Sequence, residues 1–371
     1  MGACRFVLGV GVGGKYPLTA TMMRENERDE AVRAPTTTQE PPLLPPASKG
    51  PNPSIEVAKG FFWQTPGSML PYVVALLLLL IGGKDNYGAE HMAATSFDFR
   101  LLLGLGAVPT LIVMLLTYYS SESHEYVSAR TADKRGPLRV VRDHPELLGR
   151  LTGCGLSWFL YDFVCYGSSV NKVVIVNAVF GESESLYDNC WHDIVLMCTG
   201  IPGVVLAIFA LYYWSGRTLQ AYGFLLQTAT CVALAAAVLA KASSGLKFGL
   251  FCALEFSLAF GPNVSTYTLP TEIFPTAVRS TCFGVCAGLG KVGALIGSAS
   301  FEVIMDVVGL DGVYLICAGV SVLGMLVTLL FVPTAKRLAS EELASVVAGS
   351  VPILRAGDGS NRRDQLLDGS A

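Results

Sequence analysis

Charge is scarce in this chain: only 15% of its 371 residues are Asp, Glu, Lys or Arg. Average soluble domains carry about 25%. With 52% hydrophobic residues, 39 glycines and a mean hydropathy of +0.50, the deficit points to a membrane protein rather than a large soluble core. Neither sign of charge dominates, since the formal net charge is −3, and nothing suggests a nucleic-acid partner. Histidine is limited to His91, His124, His144 and His192, in or beside predicted loops and without ligand spacing, so no metal is assigned. The ten cysteines form no spaced framework. Most of them, including Cys154, Cys165, Cys231 and Cys286, fall inside apolar runs and read as small hydrophobes. An enzyme is a poor fit, because no nucleophile–base pair, phosphate loop or metal cluster is present, and no cofactor is implied. The glycines of "GVGVGG" lie inside an apolar segment, where close helix packing explains them better than a nucleotide loop. Residues 1–22 also lack the basic region and small-residue cleavage site of a signal peptide.

What the chain does have is a series of long apolar runs. A hydrocarbon core about 30 Å thick needs about 20 apolar residues per helix. Nine windows qualify: residues 4–22, 62–83, 100–119, 148–170, 192–214, 219–240, 247–269, 282–307 and 312–333. The fold class expected is therefore all-α, a polytopic membrane protein. With the C-terminus cytoplasmic, the segments 23–61, 119–147, 215–218, 270–281 and 334–371 hold most of the Lys and Arg residues. The opposite side keeps Lys84, Arg100, Lys172, Lys241 and Lys247, an asymmetry that follows the positive-inside rule. The stretch "RAPTTTQEPPLLPPASKGPNPS" is proline-rich and reads as an extended or disordered loop.

Ionisable groups inside hydrocarbon are costly and mark functional candidates. The spans offer Lys15, Arg150, Asp162, Glu255 and Lys291. Arg150 lies near a helix end and can snorkel, so a structural role is preferred for it. In "SWFLYDFVCYGSS", Trp158, Asp162 and Tyr166 follow one another at four-residue steps on one helix face. An indole, a carboxyl and a phenol in line suit a polar oxyanion ligand; a helix–helix seam with the aspartate paired to a lysine fits equally. In "FGPNVSTYTLPTEIFPTAVRST", Gly261-Pro262 breaks a helix beside Asn263, and such breaks free backbone groups to face a midplane site. Asn263-Val264-Ser265 is also a glycosylation sequon, though its mid-membrane position argues against modification. Glu272 and Arg279, at the cytoplasmic end, either pair as a gate or are simply solvated. Gln64 opens the second span, where an amide either meets a ligand or bonds across helices.

Together, "GVGVGGKYPLTAT", "SWFLYDFVCYGSS", "SGRTLQAYGF", "FGPNVSTYTLPTEIFPTAVRSTC" and "GLGKVGALIG" resemble the phosphate:proton symporter family of the major facilitator superfamily. The segments come in family order from residue 9 to about residue 336. The resemblance implies a secondary active transporter of inorganic phosphate, with protons and the lipid bilayer as its other partners and the plasma membrane as its location. It implies that Tyr16, Gln64, Trp158, Asp162, Tyr166 and Asn263 hydrogen-bond phosphate, with Lys291 as the nearby cation. Asp162 would repel the anion when ionised and donate a hydrogen bond when protonated, which couples proton to phosphate. Alternatives are another substrate on the same fold (an organic phosphate, another oxyanion or a sugar) or a truncated, non-transporting membrane protein.

Family members have twelve helices in two bundles, and by motif this chain begins at the fourth. The domains expected are a partial N-terminal bundle at 1–118 with a disordered loop at 24–58, a linker at 119–147, a six-helix bundle at 148–334 and a tail at 335–371. Three further departures stand out. Lys15 replaces an acidic residue that the family uses in proton movement; it either attracts phosphate, pairs with Asp162 or simply marks a relaxed sequence. Tyr213 replaces an acidic residue near Gly216. The loop at 34–53 is longer than the family's connection.

Overall fold

Among the described residues of a computed structural model of the chain, the regular elements are helices. Residues 2–33, 53–82, 92–119, 142, 144–172, 175–176, 186–334 and 337–338 are described. The main helices are α1 (Gly2–Arg33), α2 (Pro53–Phe62), α3 (Gln64–Gly82), α4 (Met92–Tyr118) and α5 (Pro145–Val170). They are followed by α6 (Leu186–Ala210), α7 (Gly216–Leu239), α8 (Ser244–Ala259), α9 (Pro262–Ile273) and α10 (Thr276–Phe331). A helix satisfies its backbone hydrogen bonds within one segment, which hydrocarbon requires.

Among the described residues, six helical stretches are long and apolar enough to cross a membrane. The last of them, Val278–Phe331, has 54 residues. At 1.5 Å per residue that is about 80 Å, more than twice a hydrocarbon core of about 30 Å. Gly309 divides it, with φ 77° and ψ 170°, a conformation open to glycine and strained for other residues. The two spans expected at 282–307 and 312–333 lie on either side of this break. The spans expected at 4–22 and 148–170 fall on α1 and α5, which are helical but too polar to count among the six.

Two boundaries differ from expectation. Residues 24–33 continue α1 and residues 53–58 begin α2, so these two parts of the loop expected at 24–58 are helical. The run "RENERDEAVR" is built of good helix formers, and Ser54–Ile81 forms one apolar stretch that starts before residue 62. Helix α5 starts at Pro145, suited to a first helical position, with Glu146 in its first turn. Residues 34–52, most of the expected linker and nearly all of the expected tail lie outside the described residues.

Lipid is as apolar as leucine, so helices in a membrane associate through close van der Waals contact and small residues. The clearest case joins α5 to α10. A Cβ added at Gly293 would stand 2.2 Å from the Phe159 carbonyl oxygen, and one at Gly297 would stand 2.2 Å from that of Phe163. A Cβ at Gly290 would meet the Trp158 ring at 2.6 Å. The glycines of "GLGKVGALIG" thus set one backbone against another. Gly223 of α7 and Gly261, at the α8–α9 break, make a second crossing: a Cβ on Gly261 would lie 2.3 Å from the Gly223 Cα. A polar seam completes it. Gln220 Nε2 donates to Thr328 Oγ1 at 2.8 Å and Gln220 Oε1 accepts from Ser265 Oγ at 3.0 Å, tying α7, α9 and α10.

The α5–α10 contact yields a prediction. Gly293→Ala forces a methyl into the Phe159 carbonyl and is expected to destabilise the solubilised protein by about 1–3 kcal/mol. Gly288→Ala, where an added Cβ meets nothing within 4 Å, is expected to be neutral or slightly stabilising. Thermal unfolding in detergent compares the two.

Candidate functional site

The four-residue steps in α5 put Trp158, Asp162 and Tyr166 on one face, and the glycine contact with α10 brings Lys291 to that face. Lys291 Nζ donates to Asp162 Oδ2 at 3.1 Å and to the Tyr166 hydroxyl at 2.9 Å. It also lies 4.4 Å from the Tyr166 ring centroid, within cation–π range. Burial of the pair is uneven: the Asp162 side chain is 3% exposed and that of Lys291 is 49% exposed. The carboxylate is enclosed by protein while the ammonium opens into a cavity.

That cavity has a volume of about 400 Å³, within the usual range for small-ligand sites. All seven residues expected to bind substrate, Tyr16, Gln64, Trp158, Asp162, Tyr166, Asn263 and Lys291, line it. Tyr16 comes from α1, Gln64 from the start of α3, and Asn263 from the α8–α9 break. The Tyr16 hydroxyl stands 3.5 Å from Gln64 Oε1, a long contact that leaves both groups able to turn toward a ligand. Lys15 is exposed and lies outside this lining. The lysine paired with Asp162 is Lys291, so the pairing considered for Lys15 is corrected: residues 15 and 16 project in different directions, and only Tyr16 reaches the cavity.

Several contributors were missed in the sequence. Tyr267 and Phe283 join Tyr16, Trp158 and Phe61 in an aromatic cluster with centroid separations of 4.5–6.3 Å. Tyr267 lies one helical turn beyond Asn263 toward the Glu272 end, so the cluster floors the cavity on that side. Lys172, placed by the sequence on the side opposite the cytoplasm, is buried, with Nζ 3.3 Å from Glu255 Oε2. An ion pair to an acid within the neighbouring span explains its burial; a hydropathy window that places a lone lysine by position cannot see such a partner.

Glu272 and Arg279 sit beyond the aromatic floor, at the junction of α9 and α10. Glu272 accepts a hydrogen bond from Ser54, at the start of α2. Arg279 Nε donates to the Phe274 carbonyl at 3.2 Å. Arg150 does not snorkel: it is 6% exposed and donates from Nη1 to the Ile273 carbonyl at 2.6 Å. Carbonyls at a helix end have no partner within the helix, and two guanidinium groups supply one here.

Comparison with known proteins adds the family. Residues 153–346 match the family described as "Sugar (and other) transporter". The inorganic phosphate transporter PT2 of Toxoplasma gondii is 32% identical over 359 residues, covering 95% of this chain and 58% of its own length. A probable inorganic phosphate transporter 1-6 of Arabidopsis thaliana is 24% identical, covering 92% of this chain and 71% of its own length. The inorganic phosphate transporter PHO84 of Saccharomyces cerevisiae is 26% identical, covering 81% of this chain and 58% of its own length. The chain thus spans a little over half the length of the first and last of these. Among solved structures, the major facilitator superfamily proton:xylose symporter XylE matches with a TM-score of 0.59 and 18% identity, covering 78% of this chain and 67% of that one. The Escherichia coli fucose:proton symporter FucP matches with a TM-score of 0.55 and 12% identity, covering 76% and 70%. The chain has the major facilitator superfamily fold, is a multi-pass integral membrane protein, and belongs to the sugar (and other) transporter family.

Proposed function

We propose that this protein takes part in secondary active transport of inorganic phosphate across the plasma membrane, by proton-coupled symport with alternating access. The observation that carries this reading is the convergence of all seven expected residues on one cavity with a half-exposed lysine at its wall. The names of the curated relatives support phosphate as the substrate. The helices before residue 119 are read as part of one bundle and those after residue 144 as a second.

The chemistry follows from the groups present. Phosphate is strongly hydrated, so a site that strips its water must return several hydrogen bonds at once. The Trp158 indole, the phenols of Tyr16 and Tyr166, and the amides of Gln64 and Asn263 are neutral donors. Lys291 adds a cation that is already turned to the cavity. When phosphate draws the ammonium away from Asp162, a buried carboxylate loses its partner. A proton on Asp162 neutralises it and turns it from a repelling acceptor into a donor, so proton and phosphate favour one another. On release, Lys291 returns to Asp162. The contacts of Glu272 and Arg279 lie across the cytoplasmic exit and are proposed to rearrange as it opens.

Two outcomes test this reading. Proteoliposomes carrying the protein should accumulate radiolabelled phosphate under an inward proton gradient, with arsenate competing and xylose inert. Competition by sugars without effect of arsenate would transfer the function to a sugar substrate. Asp162→Asn should lower gradient-driven accumulation by about tenfold or more, because the proton no longer has its acceptor. Full pH-dependent uptake by that variant would sink the coupling scheme.

A further inference from the structure

The same cavity reaches a second charged group that phosphate binding leaves unused. Lys172 follows α5 directly, ten residues past Asp162, about 15 Å along a helix, at the end opposite the Arg150–Ile273 contact. Both Lys172 and Glu255 line the cavity wall. Lys172 is 4% exposed, and its ammonium is held by Glu255 Oε2 at 3.3 Å. The other carboxylate oxygen of that residue, Glu255 Oε1, is buried without a hydrogen-bond partner. Asp193, on α6, is 6% exposed and interacts electrostatically with both Lys172 and Glu255.

The charges do not balance. Among the described residues, the carboxylates of Glu255 and Asp193 outnumber the one ammonium of Lys172, and all three side chains are largely buried. The other titratable groups acting on them are His192 on α6, Tyr72 on α3, Cys165 on α5 and Tyr314 on α10, with Cys190 and Cys252 at the edge. None of these supplies a permanent positive charge. The Asp162–Lys291 pair differs, having one acid for one base. An excess carboxylate in such a place is neutralised by a cation or a proton. A metal cation such as sodium would have to sit beside the Lys172 ammonium, which repels it, and would need several oxygen ligands. A proton needs one oxygen, and Glu255 Oε1 is free to take it.

We propose that Glu255, paired with the Lys172 ammonium, and the nearby buried Asp193 form a second proton-binding site at the end of the cavity away from Glu272. The site binds one proton when that end faces solvent and returns it when the transporter turns over. It rests on the transport reading for its role in symport, but its protonation does not depend on phosphate. It also supplies a carboxylate in a chain whose residue 15 is a lysine.

Asp193→Asn is the cleaner variant, since it leaves Lys172 and Glu255 as a balanced pair; Glu255→Gln, leaving Lys172 with Asp193, is the second. Infrared difference spectra of the protein in lipid, recorded between two pH values without phosphate, should show a protonated-carboxyl band that each variant removes. In proteoliposomes, with internal pH followed by a dye, Asp193→Asn should keep phosphate exchange and lower the proton-to-phosphate ratio by about half. A carboxyl band unchanged in both variants would overturn the site, as would a band that responds to sodium at fixed pH. Loss of all phosphate movement by the wild type, with the carboxyl band present, would count against the transport reading while leaving the proton site standing.

Discussion

The site depends on one contact: the Lys291 ammonium held by the Asp162 carboxylate between two helices whose backbones touch. Separating them would leave two charges in a medium that solvates neither, so the pair fixes α5 against α10 at that level. The contact exists because Gly293 and Gly297 let α10 lie directly on the carbonyls of Phe159 and Phe163. A larger residue at either position would push α10 away, and Lys291 would lose Asp162. The glycines therefore position the Asp162–Lys291 pair although none carries a functional group. Lys291 is half exposed to the cavity and Asp162 is not, so under the proposed function a ligand would meet the base and leave the acid inside.

The rest of the cavity is arranged around that pair. On one side, the aromatic rings of Tyr16, Trp158, Tyr267 and Phe283 separate it from the α9–α10 junction. There Arg150 and Arg279 satisfy the carbonyls that end α9. That junction joins α5, α9 and α10, while Ser54 and Glu272 link α2 to α9. On the other side, Lys172, Glu255 and Asp193 gather where α6 and α8 approach the end of α5. A charged cluster thus stands at each end of the cavity and a balanced ion pair between them.

Much of this was legible in the sequence, and the reasons are physical. The apolar windows are dictated by bilayer thickness, so all nine expected spans fall on helices. The W-x-x-x-D-x-x-x-Y spacing is a property of the helix itself, and the three residues do share a face. The helical break at Gly261-Pro262 was readable because proline has no N–H and glycine no Cβ. What could not be read was pairing between distant segments. Asp162 had two candidate lysines, at 15 and 291, and only the crossing of α5 with α10 selects between them. The pairing of Lys172 with Glu255 is invisible in the sequence because the two are 83 residues apart. The aromatic floor was invisible for the same reason, since its rings come from α1, α2, α5, α9 and α10. Residues 24–33 were misread because charged helix formers and loop residues share a polar composition.

Equilibrium binding of inorganic phosphate to the purified protein in lipid nanodiscs tests the central claim most directly, with wild type, Lys291→Gln and the Asp162→Asn/Lys291→Gln double variant compared. If the half-exposed ammonium is the anion's anchor, Lys291→Gln weakens binding by about tenfold or more, and restoring neutrality at residue 162 recovers part of the loss. Unchanged affinity in Lys291→Gln would contradict the account and return the Asp162–Lys291 pair to a purely structural seam.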